Sequence, residues 1–106
     1  MIDTSAWVHQ MRPKGDPGVR AHVEGLLRAG EAAWCAMVRL EIWNGAGDER
    51  ERKILGEYEA VLPELAIDDR AWRLAYELAR RARRSGKTVP ATDILIFACA
   101  RVHGVE

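Results

Sequence analysis

Apolar and polar residues alternate along this chain with a spacing that changes from segment to segment, and each change marks an element. Val19, Val23, Leu26 and Leu27 recur at helical spacing behind Asp16-Pro17, a capping acid followed by proline at the first helical position. Gly30 closes that helix. Glu31 to Met37 is a short run suited to a buried strand, and from Val38 to Ala46 the spacing is helical again. Asp48 with Glu51 three residues later has capping-box form and predicts a helix reaching Leu62, where Pro63 stops it. Leu65-Ala66-Ile67 is a second short strand. Asp68 and Asp69 then open the clearest helix, whose stripe of Trp72, Ala75, Tyr76, Ala79 and Ala82 predicts its buried face, ended by Ser85-Gly86. A last helix starts near Pro90 and runs through Ile94, Leu95, Ala98 and Val102 to His103-Gly104. Strands this short, separated by helices, need crossover connections. A small parallel sheet flanked by helices, an α/β fold, is expected, with an all-helical bundle as the competing arrangement.

Composition narrows the function. The 106 residues suffice for a single domain over residues 1–106. Sixteen basic and 16 acidic side chains cancel, so nucleic-acid contact would have to come from a local patch rather than from net charge. No apolar run reaches the roughly 20 residues of a membrane span, and no basic-then-apolar leader opens the chain, so no membrane contact and a cytoplasmic location are expected. Cys35 and Cys99 lie in apolar contexts and read as reduced core residues. Trp34 and Trp72 are expected in the core, while Trp7 and Trp43, beside acidic residues, suit a groove or a partner interface. His9, His22 and His103 lack metal-ligand spacing with the cysteines, and no Gly-x-Ser-x-Gly elbow is present.

Three acids stand in apolar surroundings. Asp3 follows Met1-Ile2 at the end of a strand, Glu41 interrupts the apolar run Met37 to Trp43, and Asp93 sits in the first turn of the last helix. In an open parallel sheet, strand ends and the first turns of the following helices converge on one crevice. Converging carboxylates need compensation, and a hard divalent cation with oxygen ligands supplies it. Taken singly, the three have plain structural roles as a cap, an exposed helix residue and a charge on a helix dipole.

Together, the segments Ile2-Asp3-Thr4-Ser5-Ala6-Trp7, Val38 to Ala46 and Val89 to Ala100 resemble the motifs of PIN-domain ribonucleases, and within them the VapC-type toxins of toxin–antitoxin pairs. Glu41 follows Asp3 by 38 positions and Asp93 follows Glu41 by 52, in family-like order. The resemblance implies a PIN-like three-layer α/β/α fold with a small central parallel sheet. It also implies a Mg²⁺ or Mn²⁺ site, endonucleolytic cleavage of RNA, a homodimer and an inhibitory antitoxin. By motif position Asp3, Glu41 and Asp93 form the catalytic and metal-binding set, with Ser5 and Thr92 as supporting hydroxyls. Relatives of this kind continue beyond the position of Glu106 into another strand and a loop bearing a fourth acid, so a fold truncated at its C-terminus is expected. The alternative is a catalytically impaired PIN-like module that binds RNA or protein.

The run Arg80, Arg81, Arg83, Arg84 and Lys87 is the one local cationic patch. It reads either as the solvated end of a helix or as a set of RNA phosphate contacts leading into the Asp93 helix. Gly86-Lys87-Thr88 imitates the end of a phosphate-binding loop, but the earlier glycine it needs is Arg81, and the segment follows a helix rather than a strand.

Overall fold

The computed structural model describes residues 16–30 and 32–105. Among these, helix α1 (Pro17–Arg28) leads to strand β1 (Trp34–Cys35), followed by helices α2 (Ala36–Gly45) and α3 (Glu49–Val61). Strand β2 (Glu64–Leu65) then precedes helices α4 (Asp69–Arg84) and α5 (Ala91–Val102). The two strands pair in parallel, with Trp34 opposite Glu64 and Cys35 opposite Leu65, and α2 and α3 form the crossover between them. The parallel pair decides for the α/β arrangement over a helical bundle.

The caps follow the chemistry of their residues. Asp16 accepts hydrogen bonds from the backbone N–H groups of Gly18 and Val19 at 2.8 and 3.1 Å. Asp48 accepts from the Glu51 N–H at 2.7 Å, and Glu51 accepts in return from the Gly47 N–H at 3.0 Å. The box therefore closes one residue upstream of the form the spacing predicts. Helices α4 and α5 both stop on a glycine with positive φ, Gly86 at 71° and Gly104 at 68°. In each, the residue after the glycine donates back into the last turn, Lys87 to the Ala82 carbonyl and Val105 to the Ala100 carbonyl, both at 2.9 Å. Lys87 thus belongs to a helix stop.

Strand expectations shrink on both sides. Of the run Glu31 to Met37, whose first residue lies outside the described ones, Trp34 and Cys35 are the paired residues among those described, because Cys35 already caps α2 with extended backbone and Ala36 enters the helix. The second strand is Glu64–Leu65, one residue earlier than Leu65-Ala66-Ile67.

One core cluster gathers Val23, Ala32, Trp34, Cys35, Val38, Ile42, Leu55, Ala71 and Cys99; a second joins Ala75, Leu95 and Ala98. Met37 and Ile67 pack against both and knit them together. Trp34, 1% exposed, is the largest side chain in the core, and both cysteines are buried free thiols. The expected face of α4 needs correction. Trp72 is 41% and Tyr76 62% exposed, and Ala79 is exposed too. The buried positions are Ala71 and Ala75, with Leu74, Leu78 and Ala82 partly covered. Alanines win the inner face because they let α5 approach closely, bringing Ala75 against Leu95 and Ala98. The two aromatic rings lie side by side outside, centroids 6.1 Å apart.

Candidate active site

Helix α2 is seated on Val38 and Ile42, its two fully buried residues. At 100° per residue, Glu41 falls on one flank of that seat together with Met37, while Arg39 and Trp43 fall on the other. Met37 packs against the Ala75, Leu95 and Ala98 cluster, which also takes in Ile94. The Glu41 flank therefore turns toward α5, and α2 and α5 are in direct contact. Glu41 itself is half-buried.

Asp93 occupies the first turn of α5, exposed, after an N-cap, Pro90, that offers no capping side chain. Its charge sits at the positive end of the helix dipole, where a carboxylate is stabilised. Thr92, beside it, is half-buried. The structure thus sets the helices of two expected site acids against each other. Asp3 and Ser5 lie outside the described residues, as does Trp7. Among the described residues no group of three potential metal ligands gathers. Glu41 and Asp93 offer carboxylate oxygens alone, donors that suit a hard cation such as Mg²⁺ or Mn²⁺.

The basic run divides. Glu77 holds Arg81 at 3.2 Å and Arg80 at 3.9 Å. Arg83, Arg84 and Lys87 are exposed and make no ion pair among the described residues. Helices α4 and α5 are antiparallel: at the end of α5, His103 lies against Ala66, just before α4 begins. The arginine-rich end of α4 accordingly stands at the same end of the helix pair as Asp93.

On the opposite flank of α2, Arg39 and Trp43 meet two acids that lie outside the motif segments. Glu59 on α3 accepts the Trp43 indole N–H at 3.2 Å and lies 3.5 Å from the Arg39 guanidinium, whose other arm is 3.2 Å from Glu64. The one sequence signal of this network is Arg39 itself, a lone cation in an apolar helix that calls for an acidic partner. Nothing in the spacing says which acid.

The family model of the PIN domain matches residues 1–106. The chain belongs to the PIN-domain family. It is similar to the VapC ribonuclease Mb1587 of Mycobacterium bovis, 39% identical over 110 residues that cover 100% of this chain and 81% of the relative. Ribonuclease VapC11 of Mycobacterium tuberculosis matches with the same identity and coverage. This PIN domain is of the VapC type, and its α/β architecture with a small parallel sheet agrees with that membership.

Proposed function

We propose that this PIN domain is a metal-dependent endoribonuclease, the toxin of a toxin–antitoxin pair, acting on RNA in the cytoplasm. The observation that carries the reading is the contact between α2 and α5, the helices of Glu41 and Asp93, in a chain 39% identical over its whole length to proteins named ribonucleases. Asp3, Glu41 and Asp93 would hold Mg²⁺ or Mn²⁺, which when bound neutralises the scissile phosphate and makes its water acidic. The chain's own contribution is positional. Asp93, exposed on the first turn of α5, presents its carboxylate to solvent and substrate. Glu41, half-buried, can orient a water or take its proton. Ser5 and Thr92 would supply hydroxyls beside the carboxylates. Arg83, Arg84 and Lys87 are the cations placed to meet the RNA backbone, with Arg80 and Arg81 shared with Glu77. A cognate antitoxin covering the acidic crevice and a homodimer complete the reading.

The test is cleavage of single-stranded RNA by the purified chain with Mn²⁺ and with chelator. Cleavage should need the metal and fall at least a hundredfold in Glu41→Gln and Asp93→Asn, with melting temperatures held near wild type. RNA binding without metal-dependent cleavage would instead identify a noncatalytic binding module.

A further inference from the structure

We propose that Glu59 is a positioning residue: by gripping Arg39 and Trp43 on one flank of α2, it fixes the rotation of that helix and so the aim of Glu41 on the other flank. The inference rests on the proposed role of Glu41. A single carboxylate on α3 engages two α2 residues one turn apart, the Trp43 indole at 3.2 Å and the Arg39 guanidinium at 3.5 Å. Arg39 then spans to Glu64 on β2 at 3.2 Å, so the outer flank of α2 is tied to a helix and to the sheet at once.

Helix α2 needs such a tie. It has 10 residues, no side-chain hydrogen bond at its N-cap, and an apolar seat of two fully buried residues, Val38 and Ile42, one turn apart. Those two side chains in line fix the helix axis, while Met37, packed against both core clusters on one flank, and the Glu59 network on the other together set the rotation about it. Rotation is what matters to Glu41. A side chain at the rim of a helix about 10–12 Å across moves about 2 Å for a 20° roll. A working site tolerates only about 0.5 Å. Arg39 and Trp43 act on the side of the seat opposite Glu41, where their hold opposes that roll most directly.

The pairs are partly exposed, Arg39 38%, Glu59 30% and Glu64 39% at the side chain, and ion pairs so placed add little to stability. Removing Glu59 therefore disturbs aim more than folding. Glu59→Ala and Glu59→Gln are compared with wild type in three measurements. These are nuclear Overhauser contacts of the Met37 methyl with Leu95 and Ala98 in metal-free protein, Mn²⁺ affinity by water-proton relaxation, and kcat and KM on single-stranded RNA. Glu59→Ala is expected to lose or redistribute the Met37 contacts and to bind Mn²⁺ on the order of tenfold more weakly. Its kcat should fall with KM nearly unchanged and the melting temperature nearly held. Glu59→Gln keeps an oxygen acceptor for Trp43 and should recover most of each. Wild-type Met37 contacts together with wild-type Mn²⁺ affinity in Glu59→Ala overturn the proposal. If wild type itself binds no Mn²⁺, the metal reading of the site falls, and Glu59 is judged on the methyl contacts alone: altered contacts sustain its hold on α2, and unaltered ones remove it.

Discussion

The imidazole Nε2 of His103 lies 2.8 Å from the carbonyl oxygen of Ala66, which joins the C-cap of α5 to the segment between β2 and α4. A carbonyl can only accept, so Nε2 carries the proton. Cys99, one turn earlier on α5, leans on the same segment, its Sγ 3.6 Å from the Ala66 oxygen and 3.8 Å from that of Leu65. His103→Ala should lower stability by about 1 kcal/mol, the usual net worth of one such bond. Urea unfolding measures it, and an unchanged midpoint would show that water replaces the imidazole without loss.

Asp68 caps α4, accepting from the Ala71 N–H at 3.0 Å, and that bond, with Arg70 beside it and His103 nearby, holds its carboxyl below the usual range. A depressed carboxyl stabilises the fold above its unfolded pKa of about 3.9, and the contribution fades as pH falls through the lower folded value. Asparagine also caps helices. The stability gap between wild type and Asp68→Asn should therefore be widest near neutral pH and close below about pH 4. A gap independent of pH would assign the whole effect to geometry.

Burial, with Cys35 close by, pushes the Cys99 thiol up to about 11. The folded chain then keeps its proton where an unfolded thiol has lost it, so stability should decline as pH rises from about 9 toward 11. Cys99→Ala should flatten this decline relative to wild type. Native protein should also resist iodoacetamide at pH 8 and label rapidly in denaturant; rapid labelling of the native thiol would contradict the packing around Cys99.

Asp93→Asn tests the metal site through stability. On the proposed convergence of Asp3, Glu41 and Asp93, removing one charge in the absence of metal should leave the melting temperature equal or higher, although Asp93 also gains from its helix dipole. With Mn²⁺ at a hundredfold excess over its dissociation constant, wild type should gain about 2.7 kcal/mol and the variant little. Equal shifts of both proteins by Mn²⁺ would place the ion elsewhere.

For the basic run, each phosphate contact to a single strand contributes about 0.7 to the slope of log affinity against log salt. Neutralising Arg83 and Arg84 together should reduce that slope by about 1.4. Neutralising Arg80 and Arg81, already facing Glu77, should change it less. Filter binding across a salt series separates the two pairs, and equal slopes for all variants would leave the run as a solvated helix end.

Much of this architecture is legible in the chain because it is written locally. Asp16, Asp48 and Asp68 announce helix starts, and Gly86 and Gly104 announce stops, through chemistry confined to three or four residues. The inner face of α4 is not legible that way. Period alone admits both a stripe through Trp72 and Tyr76 and one through Ala71 and Leu78, with Ala75 common to both, and the choice is made by α5, whose Ala98 rewards small neighbours. The strands are shorter than the apolar runs for a related reason: such runs look alike whether paired or helical, and among the described residues pairing is confined to Trp34–Cys35 with Glu64–Leu65. In the candidate site, Glu41 and Asp93 stand out as acids in apolar company. Glu59 does not, since its meaning depends on α3 folding back beside α2.

The alanine seam between α4 and α5 bears on the order in which the chain folds. The two helices are consecutive, joined by a short connector, and their contact closes a small loop with little entropy loss. The β1–β2 pair, two residues on each side, must instead wait for the whole α2–α3 crossover to be spanned. Enlarging Ala75 or Ala98 should then slow folding, whereas loosening the strand pair should chiefly quicken unfolding. The helical hairpin is thus expected to form early and the strand pair to close last.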